Sequence, residues 1–256
     1  MSDALVQRYR AARRDRGLAV LEGFHALKHA LRFGAELVEA VASDREALEG
    51  LATELAPDLA GSLAQRVTPV EAEVLSQMAP HAPRTGVISI ARRPAIDLAG
   101  TLAEERAAPV VLLEDPRSMG NMGACVRVAA AAGAAAVLTT GSNDPWHPEA
   151  LRGAAGLHFA LPVAAVEELP ASDRPLVAID PDGESSDLRA LSPRAVLAFG
   201  TERYGLSEAL LERADVRLAI PMRAGVSSLN LATAVSAVLF RNAFEPRRSS
   251  LRRPGQ

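Results

Sequence analysis

Apolar residues in the first ninety positions switch between two periods. Leu18 to Leu21 is a short apolar run of strand type, and Phe24, Leu27 and Leu31 then recur at helical spacing through Phe24 to Phe33. Leu37 to Ala42 reads as a second strand, and Asp44 stands where a helix through Leu55 needs its N-cap. A third short strand is expected around Val67. It runs into Thr68-Pro69-Val70-Glu71, which has the form of a capping box with proline at the first helical position, so a helix is expected to start there. Gly86 to Ile90 closes the series, giving a small α/β domain over residues 1–91.

Residues 92–108 break the pattern. They are polar, with prolines near both ends, and read as a linker with a short helix around Leu102 to Arg106. A second alternating series follows. Strands are predicted at Val110 to Leu113, Ala136 to Thr139, Leu176 to Ile179, Val196 to Phe199 and Arg217 to Ile220, with helices at Gly123 to Ala132, Glu149 to Gly153, Ser207 to Arg213 and Leu231 to Phe244. Continuous apolar strands separated by helices imply a parallel sheet covered on both faces, with ligands at the strands' C-terminal ends. This second domain spans 109–246 and leaves a basic tail, 247–256.

Composition narrows the classes. Of 256 residues, 48% are hydrophobic, but the longest apolar stretch, Val126 to Leu138, is Ala-rich and interrupted by Arg127 and Gly133, short of the ~20 strongly apolar residues that cross a bilayer. No secretory signal is legible at the N-terminus, so a cytoplasmic protein with no membrane partner is expected. Cys125 is the single cysteine, and no Cys/His spacing suits a metal, so the expected metal set is none and Cys125 reads as a small buried residue. The net charge of −3 gives no global reason to expect nucleic acid. Distribution matters more: all but one of the 28 basic residues are arginine. They crowd at Arg8, Arg10, Arg13, Arg14 and Arg16 and again at Arg247, Arg248, Arg252 and Arg253, as solvated ends or as contacts to RNA phosphates.

Three polar loops carry the candidate chemistry. After the strand at Val110, Asp115-Pro116 is followed by a Gly-Asn-Met-Gly turn, Gly120 to Gly123, and then Arg127, so that Asn121 and Arg127 can converge on the mouth of a helix. After Phe199 come Gly200, Thr201 and Glu202, then Gly205 and a helix. After Ile220 come Pro221 and Met222, then Ser227, Ser228, Leu229 and Asn230 before the last apolar run, where a serine can serve as the helix cap. His147, in Asp-Pro-Trp-His-Pro, reads as part of an ordered loop or helix start rather than as a catalytic group. Three such loops at strand ends in one domain form a pocket more plausibly than three separate turns.

Together, D-P-x-x-x-G-N-x-G-x-x-x-R, G-T-E-x-x-G-L-S and I-P-M-x-x-x-x-x-S-L-N, in this order, resemble the three motifs of the TrmH/SpoU branch of the SPOUT RNA methyltransferases, over about Val110 to Phe244. LEGFHALKHAL, Leu21 to Leu31, resembles the L30e-like substrate-binding domain that precedes the catalytic domain in ribosomal RNA members. The resemblance implies a deep trefoil knot, S-adenosylmethionine as cofactor, a homodimer, and transfer of a methyl group to a ribose 2′-hydroxyl in RNA, with 23S ribosomal RNA favoured over transfer RNA. It implies that Gly200, Thr201, Ile220, Met222 and Leu229 bind the cofactor, and that Arg127 is catalytic, with Asn121, Glu202, Ser228 and Asn230 as the other polar members. A homodimer would also cover Val235, Val238 and Leu239 of the last helix. Two other readings stay open: a Rossmann-like oxidoreductase, against which the missing glycine fingerprint counts, and an RNA-binding relic that has lost the cofactor.

Overall fold

The computed structural model describes residues 2–183, 187–201 and 204–241. Glu202, Arg203, Phe244 and the basic tail lie outside the described residues.

In chain order the first domain is α1 (Ser2–Ala12), β1 (Leu18–Glu22), α2 (Phe24–Arg32), β2 (Leu37–Ala42), α3 (Arg45–Leu55), α4 (Ala60–Arg66), β3 (Thr68–Pro69), α5 (Ala72–Ser76) and β4 (Val87–Arg92). Its sheet runs β1-β4-β2-β3, antiparallel except for the short parallel β2–β3 pair. Strand alternation sends Val20, Val41, Ile88 and Ile90 toward α1 and α5, and Ala40, Ala42 and Val87 toward α2 and α3. Asp44 caps α3 as expected, accepting from Ala47 N at 2.9 Å. The helix start expected at Thr68-Pro69 is corrected: those two residues pair with Val41 and Ala42, and the helix begins at Ala72. An open β2 edge competes with the local capping signal and wins, with Val70 N donating to Ala42 O at 2.9 Å.

The linker helix α6 (Leu98–Ala103) starts one turn earlier than expected because Asp97 caps it, accepting from Gly100 N at 2.9 Å. Beyond it lie β5 (Val110–Leu113), α7 (Met119–Ala132), β6 (Ala136–Thr139), α8 (Pro148–Gly153), β7 (Val163–Ala165), β8 (Leu176–Ile179), β9 (Val196–Phe199), α9 (Glu208–Arg213), β10 (Val216–Leu218) and α10 (Leu231–Leu239). The six strands are all parallel, in the order β10-β8-β9-β5-β6-β7. One face, with Val111, Leu113, Val137, Val177 and Leu197, buries α7, α8 and α10; the other, with Val110, Leu112, Leu138 and Val196, buries Leu102 of α6 and Leu210 of α9. Val235 and Val238 are fully buried on the first face, which corrects the expectation that only a second protomer would cover them.

The linker is fastened rather than loose. Arg174, 4% exposed, donates to the carbonyls of Thr101, Leu102, Glu104, Ala108 and Arg194 at 2.7–3.2 Å. Its fork so satisfies the orphan carbonyls at the C-terminus of α6, where a cation is also favoured by the helix dipole.

The two domains also share a core. Ala19, Leu21, Ala26, Ala30 and Ala91 of the first domain lie in the same buried cluster as α7 and α8. Around it, Glu22, 8% exposed, accepts from Arg13 of its own domain at 2.6 Å and from Arg152 of α8 at 3.3 Å. Arg93 grips Asp144 through two bonds of 2.8 and 3.0 Å, and His29 Nδ1 bonds Ala155 O at 2.7 Å. Gly156 sits so close to α2 that a Cβ there would lie 2.4 Å from Ala26 O. Arg8, Arg10 and Arg13, candidates for RNA contact, are bonded within the chain to Glu39, to Gln77 O, and to Glu22 and Met78 O.

Candidate active site

The pocket forms where parallel strands end. β8, β9 and β10 stop in register, and the loops that follow them enclose a cavity of about 310 Å³, within the ~300–1,000 Å³ usual for small-molecule sites. Ile179 and Asp180 enter from β8, Phe199 to Thr201 and Gly205 from β9, Ile220, Met222, Ser227, Ser228 and Leu229 from the segment after β10, and Leu231 and Ala234 from α10.

Each wall has a local cause. Gly200 admits no side chain, since a Cβ would meet the Gly205 carbonyl carbon at 2.0 Å. That approach lets Thr201 and Gly205 exchange two backbone hydrogen bonds of 3.0 Å, closing a turn whose Thr201 Oγ1 accepts from Tyr204 N at 3.0 Å. On the β5 side Glu114 accepts from both the amide and the hydroxyl of Ser207, each at 2.7 Å, and so ties the β5 loop to the cap of α9. Asp115 follows in a left-handed conformation, φ 44°, with its amide held by Thr140 Oγ1 at 3.1 Å. Only glycine fits opposite it, because a Cβ on Gly141 would lie 2.3 Å from Asp115 Oδ1.

The Gly120 to Gly123 segment is not a turn but the first part of α7, corrected because Ser118 caps the helix and accepts from Asn121 N at 3.2 Å. Gly123 serves packing instead: a Cβ would meet Ala150 O of α8 at 2.2 Å. Asn121 Oδ1 accepts from Asn230 Nδ2 at 3.0 Å, joining the first motif to the third. The cap of α10 is Asn230, which accepts from Ala232 N at 3.0 Å and Thr233 N at 3.4 Å, so neither Ser227 nor Ser228 fills that role. Both serines line the pocket with exposed side chains.

Of the predicted cofactor residues, Gly200, Thr201, Ile220, Met222 and Leu229 all line the pocket, and Ser228 joins them. Asn121 and Asn230 stand beside it, outside its lining. Arg127 lies outside the pocket's lining. Six residues of α-helix turn it ~120° away from Asn121 and carry it ~9 Å along the axis, to an exposed position near His25 of α2. His147 caps α8, its Nδ1 accepting from Glu149 N at 3.3 Å, and Cys125 is buried. Asp180 and Glu114 escaped the sequence reading. Asp180 pairs with Arg217 at 2.6 Å, and the signal that could have found it is the Asp-Pro-Asp-Gly turn that follows an apolar strand.

The cavity fits S-adenosylmethionine by the chemistry of its walls. Ile179, Phe199, Ile220, Leu229 and Leu231 make an apolar slot of adenine type, while Asp180, Thr201, Ser227, Ser228 and the backbone at Gly200 supply polar groups at its margin. Among the described residues no group of His, Cys, Asp and Glu is arranged to hold a metal ion.

A doubly wound parallel sheet with an apolar pocket over its strand ends defines a small-molecule-binding α/β domain. The family model for the SpoU rRNA methylases matches residues 108–240, and the chain belongs to this family. It is 30% identical over 251 residues to a 23S rRNA (adenosine(1067)-2′-O)-methyltransferase of Streptomyces laurentii, covering 92% of this chain and 87% of that protein. The AdoMet-bound rRNA methyltransferase of Sinorhizobium meliloti superposes with a TM-score of 0.72 at 26% identity, over 94% of each chain. The fold is shared as well with the SpoU methyltransferase AviRb of Streptomyces viridochromogenes, with a TM-score of 0.76 at 23% identity over 95% of this chain and 99% of that one.

Proposed function

We propose that this protein is an S-adenosylmethionine-dependent methyltransferase acting on a ribose 2′-hydroxyl of RNA, with 23S ribosomal RNA as substrate. The observation that carries the reading is the pocket itself, whose lining residues come from the second and third motifs and from the end of β8, and whose flank is tied to the first motif through Asn121 and Asn230.

The cofactor, when bound, supplies a methyl group already activated by its sulfonium, so the chain's task is alignment and charge. Gly200, Thr201, Ile220, Met222 and Leu229 hold the cofactor, largely through backbone groups. Ser228 offers a hydroxyl at the pocket's mouth, and Asn230 fixes the loop that presents it by capping α10. Glu202 completes the polar set in this proposal. Arg127 remains cationic at neutral pH and stabilises the alkoxide that develops at the 2′-oxygen, a role that requires no neutral guanidinium. The proton leaves to water or to a neighbouring phosphate.

Two assembly features belong to the same proposal. The segment after β10 passes under the loop after β8 in a trefoil knot; a Cβ on Gly183 would lie 2.6–2.7 Å from the backbone of Leu218 and Ala219, which supports so close a crossing. The enzyme works as a homodimer in which each pocket takes Arg127 from the partner subunit, a reading supported by the absence of Arg127 from its own pocket's lining and by exposed Tyr204, Val226 and Leu229 at the rim. Residues 1–91 select the RNA, and the protein acts in the cytoplasm. The test is methyl transfer from labelled cofactor to 23S ribosomal RNA, with the methyl mapped to a 2′-oxygen and the enzyme sedimenting at about twice 26.9 kDa. A fully active monomer, or methyl found only on bases, overturns the corresponding part.

A further inference from the structure

We infer that the first turn of α2 and Arg127 of α7 form one seat for RNA backbone phosphate, spanning the seam between the two domains. The inference rests on the RNA methyltransferase reading above and adds to it where the backbone is held.

Lys28 is the starting point. It is the single lysine in a chain whose other basic residues are all arginine, and it is 8% exposed. Its stem is packed in the domain while its ammonium lies 5.9 Å from the ring centroid of Phe24, the first residue of α2. No carboxylate forms an ion pair with it among the described residues. Asp58, the acid whose charge acts on it, is gripped by Arg32 through bonds of 2.5 and 2.9 Å. A buried stem with an unpaired head suits an ammonium on an unbranched chain better than a guanidinium fork, and it gains by an anion from outside.

The same turn offers donors. Gly23 caps α2 without a side-chain bond; Phe24 N is taken by Thr85 Oγ1 at 2.9 Å, which leaves the amides of His25 and Ala26 with no acceptor among the described residues. Such amides, at the positive end of a helix, favour phosphate. Across the seam stands exposed Arg127, without an ion pair among the described residues. Ala26 and Ala30 of α2 share a buried cluster with Cys125 and Val126 of α7, and burial first, then Lys28, then Arg127, push the His25 imidazole below its usual value. The seat is rigid, because Gly156 against Ala26 O and His29 against Ala155 O fix α2 to the catalytic domain within one turn of it. A phosphate held here would place RNA on both domains at once.

The single lysine makes the test specific. Full-length protein is acetylated with an amine-reactive reagent, alone, with a 23S ribosomal RNA transcript, and with inorganic phosphate at equal ionic strength, and Lys28 is read by mass spectrometry. The expected result is severalfold slower modification with RNA and a weaker effect with phosphate; protection by phosphate but not by RNA assigns the seat to a free anion and overturns the proposal. In parallel, Lys28→Met, which keeps the stem, should lower the slope of log affinity against log salt by ~0.7–0.9 and raise KM for RNA about three- to tenfold, with kcat and cofactor affinity nearly unchanged. An unchanged slope and KM, in an enzyme that still methylates the transcript, sinks the seat and leaves the methyltransferase reading standing. A wild-type enzyme that neither binds nor methylates the transcript removes both.

Discussion

The seam between the domains and the rim of the pocket are built in opposite ways. At the seam Glu22 is buried under two arginines, Arg93 holds Asp144 by two bonds, and Gly156 meets α2 with no room for a methyl group. At the rim, residues 223–230 are exposed without interruption, and the loop is anchored at its end by Asn230. Both regions depend on glycines that admit no side chain. The difference teaches where this fold keeps its polar bonds: on the relation between the domains, with the loop surface left open for what binds there. A fully bonded buried polar cluster is costly to disturb, whereas an exposed loop changes conformation at little expense.

The largest effect separates chemistry from binding at the pocket. Arg127→Ala should lower kcat by about 10²–10³, the usual loss for one preorganised donor, while isothermal titration finds cofactor affinity nearly intact. Full single-turnover methylation by this variant would falsify its catalytic role. Two alanine substitutions then set the regions against each other. Gly156→Ala, at φ 77° and with its new atom 2.4 Å from Ala26 O, should destabilise the whole protein by about 3 kcal/mol, read as a lower denaturant midpoint. Gly200→Ala should instead pry open the Thr201–Gly205 turn and abolish cofactor binding, with a much smaller change in midpoint. Equal losses of stability in the two variants would erase the contrast.

Near the seam, acid gives a third measure. Burial pushes the His158 imidazole down from 6.5 to about 4, with its Nε2 donating to Pro145 O at 2.8 Å. Above about pH 6.5 the native and unfolded imidazoles are both neutral and nothing is lost. As the pH falls toward 4 the unfolded state takes up a proton that the native state refuses, so stability declines by up to about 3 kcal/mol from this group. Trp146, the chain's single tryptophan, has its ring centroid 5.1 Å from that of His158 and reports the melt; His158→Gln should flatten the decline between these limits, and an unchanged slope would exclude His158 as its source. The smallest effect is Asn230→Ala, about 1 kcal/mol for a lost N-cap, with a looser cofactor site because the bond to Asn121 goes too. A variant with unaltered cofactor affinity would show that the cap stabilises α10 and does not order the pocket.

Much of this was legible in the residues because the information is local. β5, β6, β8 and β9 lie where continuous apolar runs predicted them, and Asp44 caps the helix that its position promised. Misreadings arose where a distant partner decides. Thr68-Pro69 has the local chemistry of a helix start, yet the open edge of β2 draws it into a strand. Gly120 to Gly123 has the composition of a turn, yet Ser118 starts a helix there and the approach of α8 requires Gly123. Helices α1 and α4 passed unread, and in α1 the charged residues interleaved with Val6 and Tyr9 hide a face that forms only by packing on the sheet.

The sequence by itself determined the two alternating series, the parallel sheet of the second domain and the part of the pocket's lining that falls in the second and third motifs, since strand period and motif order are properties of the chain alone. Only the tertiary structure decided that Asn230 rather than a serine caps α10, that Asn121 pairs with Asn230 while Arg127 stays outside the pocket's lining, and that Arg174 fastens the linker. Each of these depends on which groups, far apart in the sequence, come within hydrogen-bond or electrostatic reach, and that distance is set by how helices pack on the sheet rather than by any stretch of residues read alone.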